Sequence, residues 1–125
     1  MYKLNFPWGQ PPPNIDVLWR IDDKYYSVVI DPDLERYGTS GPYIEARWYE
    51  IKKRTPKGAW IDNRFVLLTA RKTYACNTID EALVSFIARK TRQHTIYQTR
   101  ANRAKRALDI AKEIQCPTKN SMRII

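Results

Sequence analysis

The chain has few of the residues that interrupt secondary structure and few that bind metals. Among its 125 residues are four glycines, two cysteines and one histidine. With a single histidine, His94, and no Cys-x-x-Cys pair, the sequence argues against a zinc site. No apolar run approaches the roughly 20 residues that cross a bilayer, and the N-terminus lacks the apolar core of a secretory signal. We therefore predict no membrane contact, and we expect Cys76 and Cys116 to be reduced thiols in a cytosol.

Negative charge is also scarce. The chain has 22 Lys and Arg residues against 13 Asp and Glu residues, which gives a formal net charge of +9. Hydrophobic residues make up 43%, so the composition is that of a folded chain. A positive excess of this size raises the local concentration of anionic partners. Nucleic acid, small nucleotides, acidic proteins and anionic lipids all remain open at this point.

Length and composition together predict one domain over residues 1–125, of the α+β class. Four prolines near the N-terminus predict an extended, irregular arm at 1–14. An antiparallel β-sheet of about five strands is expected over 15–75. A long helix or helical hairpin is expected over 78–115, followed by a tail at 117–125.

Alternation of apolar and polar residues predicts the strands, and their short connections favour an antiparallel meander. A turn is predicted at 22–24, where the sequence reads Asp-Asp-Lys. A loop is predicted at 33–42, which holds two of the four glycines. The predicted strands are 16–22, 25–30, 43–54, 59–61 and 65–69, with 71–75 extending the last one.

The helical region begins with a capping signal. Thr78 can cap a helix, and Glu81 three residues later completes a capping box. No glycine or proline interrupts the stretch from Ile79 to Gln115, and Pro117 ends it. The region is one long helix, or two helices with a break near 93–95, where β-branching and polarity rise. The apolar spacing favours one helix.

Apolar residues of this region follow alternating steps of four and three, which is the spacing of a heptad seam. The centre of the seam is polar at Lys90 and His94, whereas its alanines permit close approach of a second helix. We expect the seam to form a homo-oligomer with another copy; a helical hairpin within one chain is the alternative. The seam consists of Leu83, Ile87, Lys90, His94, Tyr97, Ala101, Ala104, Leu108 and Ala111.

Seven basic residues and no acidic residue lie from Arg89 to Arg106. At about 100° per residue, four arginines share one face of the helix, apart from the heptad seam. A guanidinium matches phosphate oxygens bidentately, so this face predicts phosphate binding. The alternative is a solvated basic face paired with acids such as Asp31, Asp33 and Glu35. The four arginines are Arg89, Arg92, Arg100 and Arg103.

A nucleotide also needs an aromatic ring on which its base stacks and an amide that reads the base edge. Phe65 and Tyr74 are candidates for stacking and Asn77 for base reading, although each aromatic taken singly fits a core position better. The loop between Gly38 and Tyr43 is a candidate lid. No cofactor is predicted. The predicted ligand-binding residues are Phe65, Arg71, Tyr74, Asn77, Arg89, Lys90, Arg92 and Gln93.

Four segments, about a quarter of the chain together, resemble a pattern of small tailed-phage proteins. They read TPKGAWI at 55–61, RFVLLTARKTYA at 64–75, TIDEAL at 78–83 and SFIARKTRQ at 85–93. The pattern is similar to that of the Thoeris anti-defence type one family. The resemblance implies a β-sheet body with long helices that assembles into dimers and higher oligomers. It also implies sequestration, without catalysis, of cyclic ADP-ribose signals made by bacterial TIR-domain enzymes, and in some members of cyclic oligonucleotides.

On this resemblance, Arg89 and Arg92 hold phosphate, Phe65 or Tyr74 stacks on a base, and Asn77 reads it. The implied location is the cytoplasm of an infected bacterial host. Residues 97–106 depart from the family pattern, so the role of the second half of the basic stripe stays open.

Three other functions compete with sequestration. Asp33, Glu50 and Lys52 have the spacing of a restriction-type nuclease that binds Mg²⁺, but short matches of this kind are frequent by chance, and we expect no enzyme. A nucleic-acid-binding phage protein that uses the basic helix is the stronger alternative. A protein inhibitor of the anti-CRISPR type is the third.

Overall fold

The computed structural model describes residues 2–115, so the predicted tail and Cys116 lie outside the described residues. The chain divides into one compact unit that ends at Ile87 and a second that starts at Ala88. The first holds all the strands and the start of the helix, and the second holds the rest of the helix. The single domain predicted from length stays a prediction.

The fold is α+β, as predicted, with antiparallel strands followed by one long helix. The single sheet of about five strands is wrong, because the described strands form two smaller sheets. One contains β1 and β2, and the other has the order β3-β4-β5. The elements are β1 (Val17–Asp31), β2 (Arg36–Glu50), β3 (Lys53–Arg54), β4 (Gly58–Ile61), β5 (Arg64–Leu67) and α1 (Ile79–Gln115).

The β1–β2 hairpin is longer than the sequence predicted. The turn expected at 22–24 is wrong, since these residues pair across the hairpin. The loop expected at 33–42 is confirmed only at 33–35, within the turn at 32–35, whereas 36–42 belong to β2. The reason is cross-strand pairing: the β-branched and aromatic run of β1 lies beside the small residues of β2. At Gly38, a Cβ would come within 2.8 Å of the Ile30 side chain, so the glycine serves close packing between strands.

The two halves of this hairpin differ, and we name them separately. The proximal half, residues 17–23 and 44–50, contributes to two apolar cores. Successive side chains of a strand point to opposite faces, so Trp19 and Ile21 enter one core and Leu18 the other. The distal half, residues 24–43, contributes no residue to either core among the buried positions.

Both edges of the proximal half are covered. The proline-rich arm lies against β2, where the Asn5 amide donates to Ile44 (2.9 Å) and the Asn5 carbonyl accepts from Ala46 (2.8 Å). On the other edge, Trp19 and Cys76 exchange backbone hydrogen bonds of 2.7 and 2.8 Å. Cys76 is buried at this bridge. The predicted strand extension over 71–75 is wrong, because the chain crosses to β1 there instead.

The smaller sheet is a pair of tight hairpins. The predicted strand over 43–54 is interrupted at 51–52, so that Lys53 and Arg54 pair with β4 rather than continue β2. The chain then bends at 56–57, between two of the predicted strands, before Gly58. A Cβ on Gly58 would lie 2.1 Å from the Val66 carbonyl oxygen, which leaves no space for any side chain there.

Helix α1 begins where the capping signal placed it. The Glu81 amide donates to Thr78 Oγ1 at 3.1 Å, which satisfies one backbone donor of the first turn. The helix continues without the alternative break at 93–95. Ala82 and Phe86 are its buried residues, and they join the core with Trp19. No described helix is long and apolar enough to span a bilayer.

Candidate functional site

The basic face of α1 carries an open depression. Its residues recur at helical spacing, so they line one side of the helix, as the angular arithmetic predicted. Three of them are arginines of the predicted face, and two more, Lys90 and Gln93, are predicted ligand-binding residues. Tyr97, which the sequence assigned to the heptad seam, is also part of it. The lining residues are Arg89, Lys90, Arg92, Gln93, Ile96, Tyr97 and Arg100.

The depression brings an ammonium, an amide and a phenol together. Lys90 Nζ donates to Gln93 Oε1 at 2.7 Å, and Gln93 Nε2 donates to the Tyr97 hydroxyl at 3.2 Å. These two hydrogen bonds hold the Gln93 amide between the Lys90 ammonium and the Tyr97 ring. Tyr97 is 55% exposed, so a face of its ring is available for stacking.

Three arginines of the basic face carry uncompensated charge. Arg92, Arg100 and Arg103 are exposed, and none forms an ion pair with a carboxylate of residues 2–115. Unpaired guanidinium groups on one helix face repel each other and favour a bound anion. In the described part of the chain, the alternative in which acids pair with the basic face is therefore not met at these three positions.

The character of the helix changes after Arg103. Lys105 Nζ pairs with Asp109 at 3.3 Å, and both side chains are mostly exposed. Asp109 and Glu113 share a shallow hollow there with Arg106. Acids thus balance the bases toward the helix C-terminus, whereas Arg92, Arg100 and Arg103 have no carboxylate partner among residues 2–115.

Tyr74, a predicted stacking residue, already has partners on its ring. The guanidinium carbons of Arg20 and Arg64 lie 4.2 and 3.8 Å from the ring centroid, and Arg20 also donates to the Tyr74 carbonyl at 2.7 Å. A base could stack on Tyr74 only by displacing one of these cations. Burial, together with a hydrogen bond to Tyr74, raises the pKa of the neighbouring Tyr49. The contacts of Tyr74 with its neighbours therefore stabilise the fold and leave its ring occupied.

Phe65 is the more accessible of the two predicted stacking residues. It is 36% exposed on β5 and stacks on Trp60 of β4, with centroids 5.3 Å apart and planes 15° from parallel. Lys53 pairs with Trp60 in register, so a cation stands beside the ring pair on the same face of the sheet. The sequence reasoning missed Trp60; the short turn between β4 and β5 would have pointed to it.

Asn77 and Arg71 complete the predicted set. Asn77 Oδ1 accepts from the Arg54 guanidinium at 3.2 and 3.3 Å, so its carbonyl oxygen is already used within the fold. Arg54 also donates to Asp16, which lowers the pKa of that carboxyl and raises the pKa of the guanidinium. Arg71 lies exposed in the bends before the helix.

Two predicted features are corrected by the hairpin. The candidate lid between Gly38 and Tyr43 is part of β2, so it is no loop. The nuclease constellation is also contradicted: Asp33 lies in the turn at one end of β2 and Glu50 at the other, about 45 Å of strand away. Two groups that far apart cannot hold one Mg²⁺. Lys52 simply pairs with Glu50 at 3.4 Å.

Comparison of the chain with protein-family models, with curated proteins and with solved structures gives no match. The resemblance to the Thoeris anti-defence family therefore rests on the quoted segments alone and stays a prediction. Among residues 2–115, no cluster of three or more His, Cys, Asp or Glu side chains has the arrangement of a metal site.

Proposed function

We propose that the protein binds a nucleotide on the basic face of α1 and sequesters it without catalysis. The observation that carries this proposal is the composition of the depression: guanidinium groups, an amide and an exposed tyrosine line one hollow. Arg92 and Arg100 supply phosphate contacts and Tyr97 supplies a stacking surface. Gln93 reads the base edge with the second hydrogen of its Nε2, since the first is donated to Tyr97.

Sequestration, rather than turnover, fits the residues around the hollow. The described residues that line it include no carboxylate, thiol or imidazole that could serve as a general base or a nucleophile. The resemblance narrows the proposed ligand to a cyclic ADP-ribose isomer or a cyclic oligonucleotide. In that role the protein acts as a phage anti-defence factor in the cytoplasm of an infected bacterium.

Nucleic-acid binding is the second candidate, and the length of the basic stripe favours it. From Arg89 to Arg106 the helix rises about 25 Å, at 1.5 Å per residue, which exceeds the size of one nucleotide. A helix of this length can follow a phosphate backbone, and its affinity for duplex DNA would then fall steeply with salt concentration.

Calorimetry separates the two candidates. We expect heat with cyclic ADP-ribose or a cyclic oligonucleotide, recovery of that ligand intact after denaturation, and a 10- to 100-fold loss of affinity in Arg92→Ala or Arg100→Ala, from about 1.5–3 kcal/mol per charged hydrogen bond. Lys112→Ala is the matched control, because it removes a positive charge from the same helix outside the depression.

The two proposed functions predict different results for these variants. Retained cyclic-nucleotide affinity in Lys112→Ala and lost affinity in Arg92→Ala support sequestration. The opposite outcome is no heat with any cyclic nucleotide and salt-sensitive binding to duplex DNA that all three variants weaken alike. That outcome would contradict sequestration and support nucleic-acid binding.

A further inference from the structure

The distal half of the β1–β2 hairpin presents an extensive apolar surface. Monomeric proteins rarely expose large apolar side chains side by side over such a stretch. Here they are concentrated in 20 consecutive residues, 24–43, and each is between 40 and 66% exposed. They are Tyr25, Tyr26, Val28, Val29, Ile30, Leu34, Tyr37 and Tyr43.

These side chains occupy both faces of the ribbon. Ile30 lies over Gly38, with its Cδ1 2.8 Å from where a Cβ of that glycine would be. Tyr37 neighbours Gly38 in β2 and pairs with Val29 in β1, so the Val29–Tyr37 pair lies on the opposite face. Ile30 and Tyr37 are each 65% exposed. Neither face is therefore covered by the rest of the described chain.

Both edges of the distal half are open as well. Within residues 2–115, the backbone bridges from other segments reach the hairpin at Glu45 and at Trp19, which belong to the proximal half. A two-stranded ribbon without a covering layer is marginally stable at best in water. A ribbon with two apolar faces and two open edges needs a partner that buries it.

The charges of the distal half favour a second copy of this chain as that partner. The chain carries a net charge of +9, so two copies repel each other over most of their surface. The distal half departs from this pattern, because it contains two basic residues and three acidic ones. Arg36 stands beside Asp33 and Glu35 at the tip, so a twofold axis can bring opposite charges together.

The available area also matches what a dimer requires. A stable interface removes about 800 Å² from each partner. Four of the eight side chains are tyrosines, and an aromatic side chain buries about 150–250 Å², so the two faces together approach this area at roughly half exposure. We propose that the distal halves of two copies wrap around each other, so that both faces are buried, and form the homodimer interface. This interface is independent of ligand binding on α1 and replaces the helix seam as the main contact.

Sedimentation velocity on the full chain tests the proposal. We expect the wild-type chain to sediment as a dimer and the double variant Ile30→Lys/Tyr37→Lys, with one change on each face, to sediment as a monomer. The matched control is Leu108→Lys/Ile114→Lys on the helix. It also replaces two apolar residues, 53 and 72% exposed, with lysines, and should remain dimeric.

A wild-type chain that is monomeric at every concentration overturns the proposal. So does a dimer that survives the hairpin variant and is lost in the helix variant. Hydrogen exchange on the wild-type chain gives a second test that needs no variant. The amides of 25–30 and 37–43 should exchange more slowly at high than at low protein concentration, whereas an unchanged rate would contradict the interface.

Discussion

The proximal and distal halves of the β1–β2 hairpin share the same two antiparallel strands, whose register shifts between Lys24 and Tyr26 and again between Val29 and Asp31, yet the two halves differ in burial. Leu18, Ile21 and Ala46 of the proximal half are 0% exposed, whereas Ile30 and Tyr37 of the distal half are 65% exposed. The difference lies in what covers them, since both halves have similar residue types. Strand pairing thus fixes the register, but a core forms only where a second layer is available.

The largest expected effect comes from replacing one isoleucine with alanine in each half of the hairpin. Ile21→Ala should cost about 2–5 kcal/mol, because it opens a cavity in a closed core. Ile30→Ala should change the free energy of unfolding by only about 0.5 kcal/mol, because the side chain is exposed in a single copy. Urea denaturation at a concentration where the chain is monomeric measures both. Equal losses would contradict the contrast between the halves.

A somewhat smaller effect is expected at the boundary of the two halves. The Glu45 carboxylate is 6% exposed and accepts from Arg47 at 2.7 Å. Glu45→Ala leaves this mostly buried guanidinium without its partner and should cost about 3 kcal/mol. Glu50→Ala is the control, because Glu50 pairs with Lys52 at 3.4 Å in solvent, and its loss should cost below about 1 kcal/mol. A similar loss in both variants would show that burial of Glu45 is irrelevant.

The smallest effect concerns a side-chain hydrogen bond that links the two halves. The Tyr26 hydroxyl donates to Glu45 at 2.5 Å, and this bond raises the pKa of Tyr26 above its ordinary value of 10.0. A raised folded-state pKa gives stability that is fully present below pH 10 and lost as the pH rises through the folded pKa. The stability difference between wild type and Tyr26→Phe should therefore stay constant from pH 7 to 9 and shrink above 10. A difference that grows at alkaline pH would exclude the bond.

The helix was predictable because its signals are local. The cap at Thr78 and the absence of glycine and proline placed α1 at Ile79–Gln115, where the structure has it. The angular positions of Arg92 and Arg100 likewise follow from a constant rotation per residue. These parts of the fold and of the candidate site can be predicted without knowing which distant residues they contact.

The hairpin and the aromatic residues were not predictable in the same way. Asp-Asp-Lys at 22–24 favours a turn by itself, but pairing with residues of β2 overrides that preference. Tyr74 is engaged by Arg20, which is 54 positions away in sequence. Contacts of this kind depend on which strands become neighbours, and no local pattern of one sequence determines that.

Gly58 has a consequence for how this chain can change over generations. Because the Val66 carbonyl occupies the space of any side chain at this position, nearly every missense change of its codon should be purged in a drifting population. Gly9 has no atom within 4 Å of the equivalent point. Its left-handed φ of 67° favours glycine, but asparagine adopts it too. A saturation library would therefore recover substitutions at the ninth codon and almost none at the fifty-eighth.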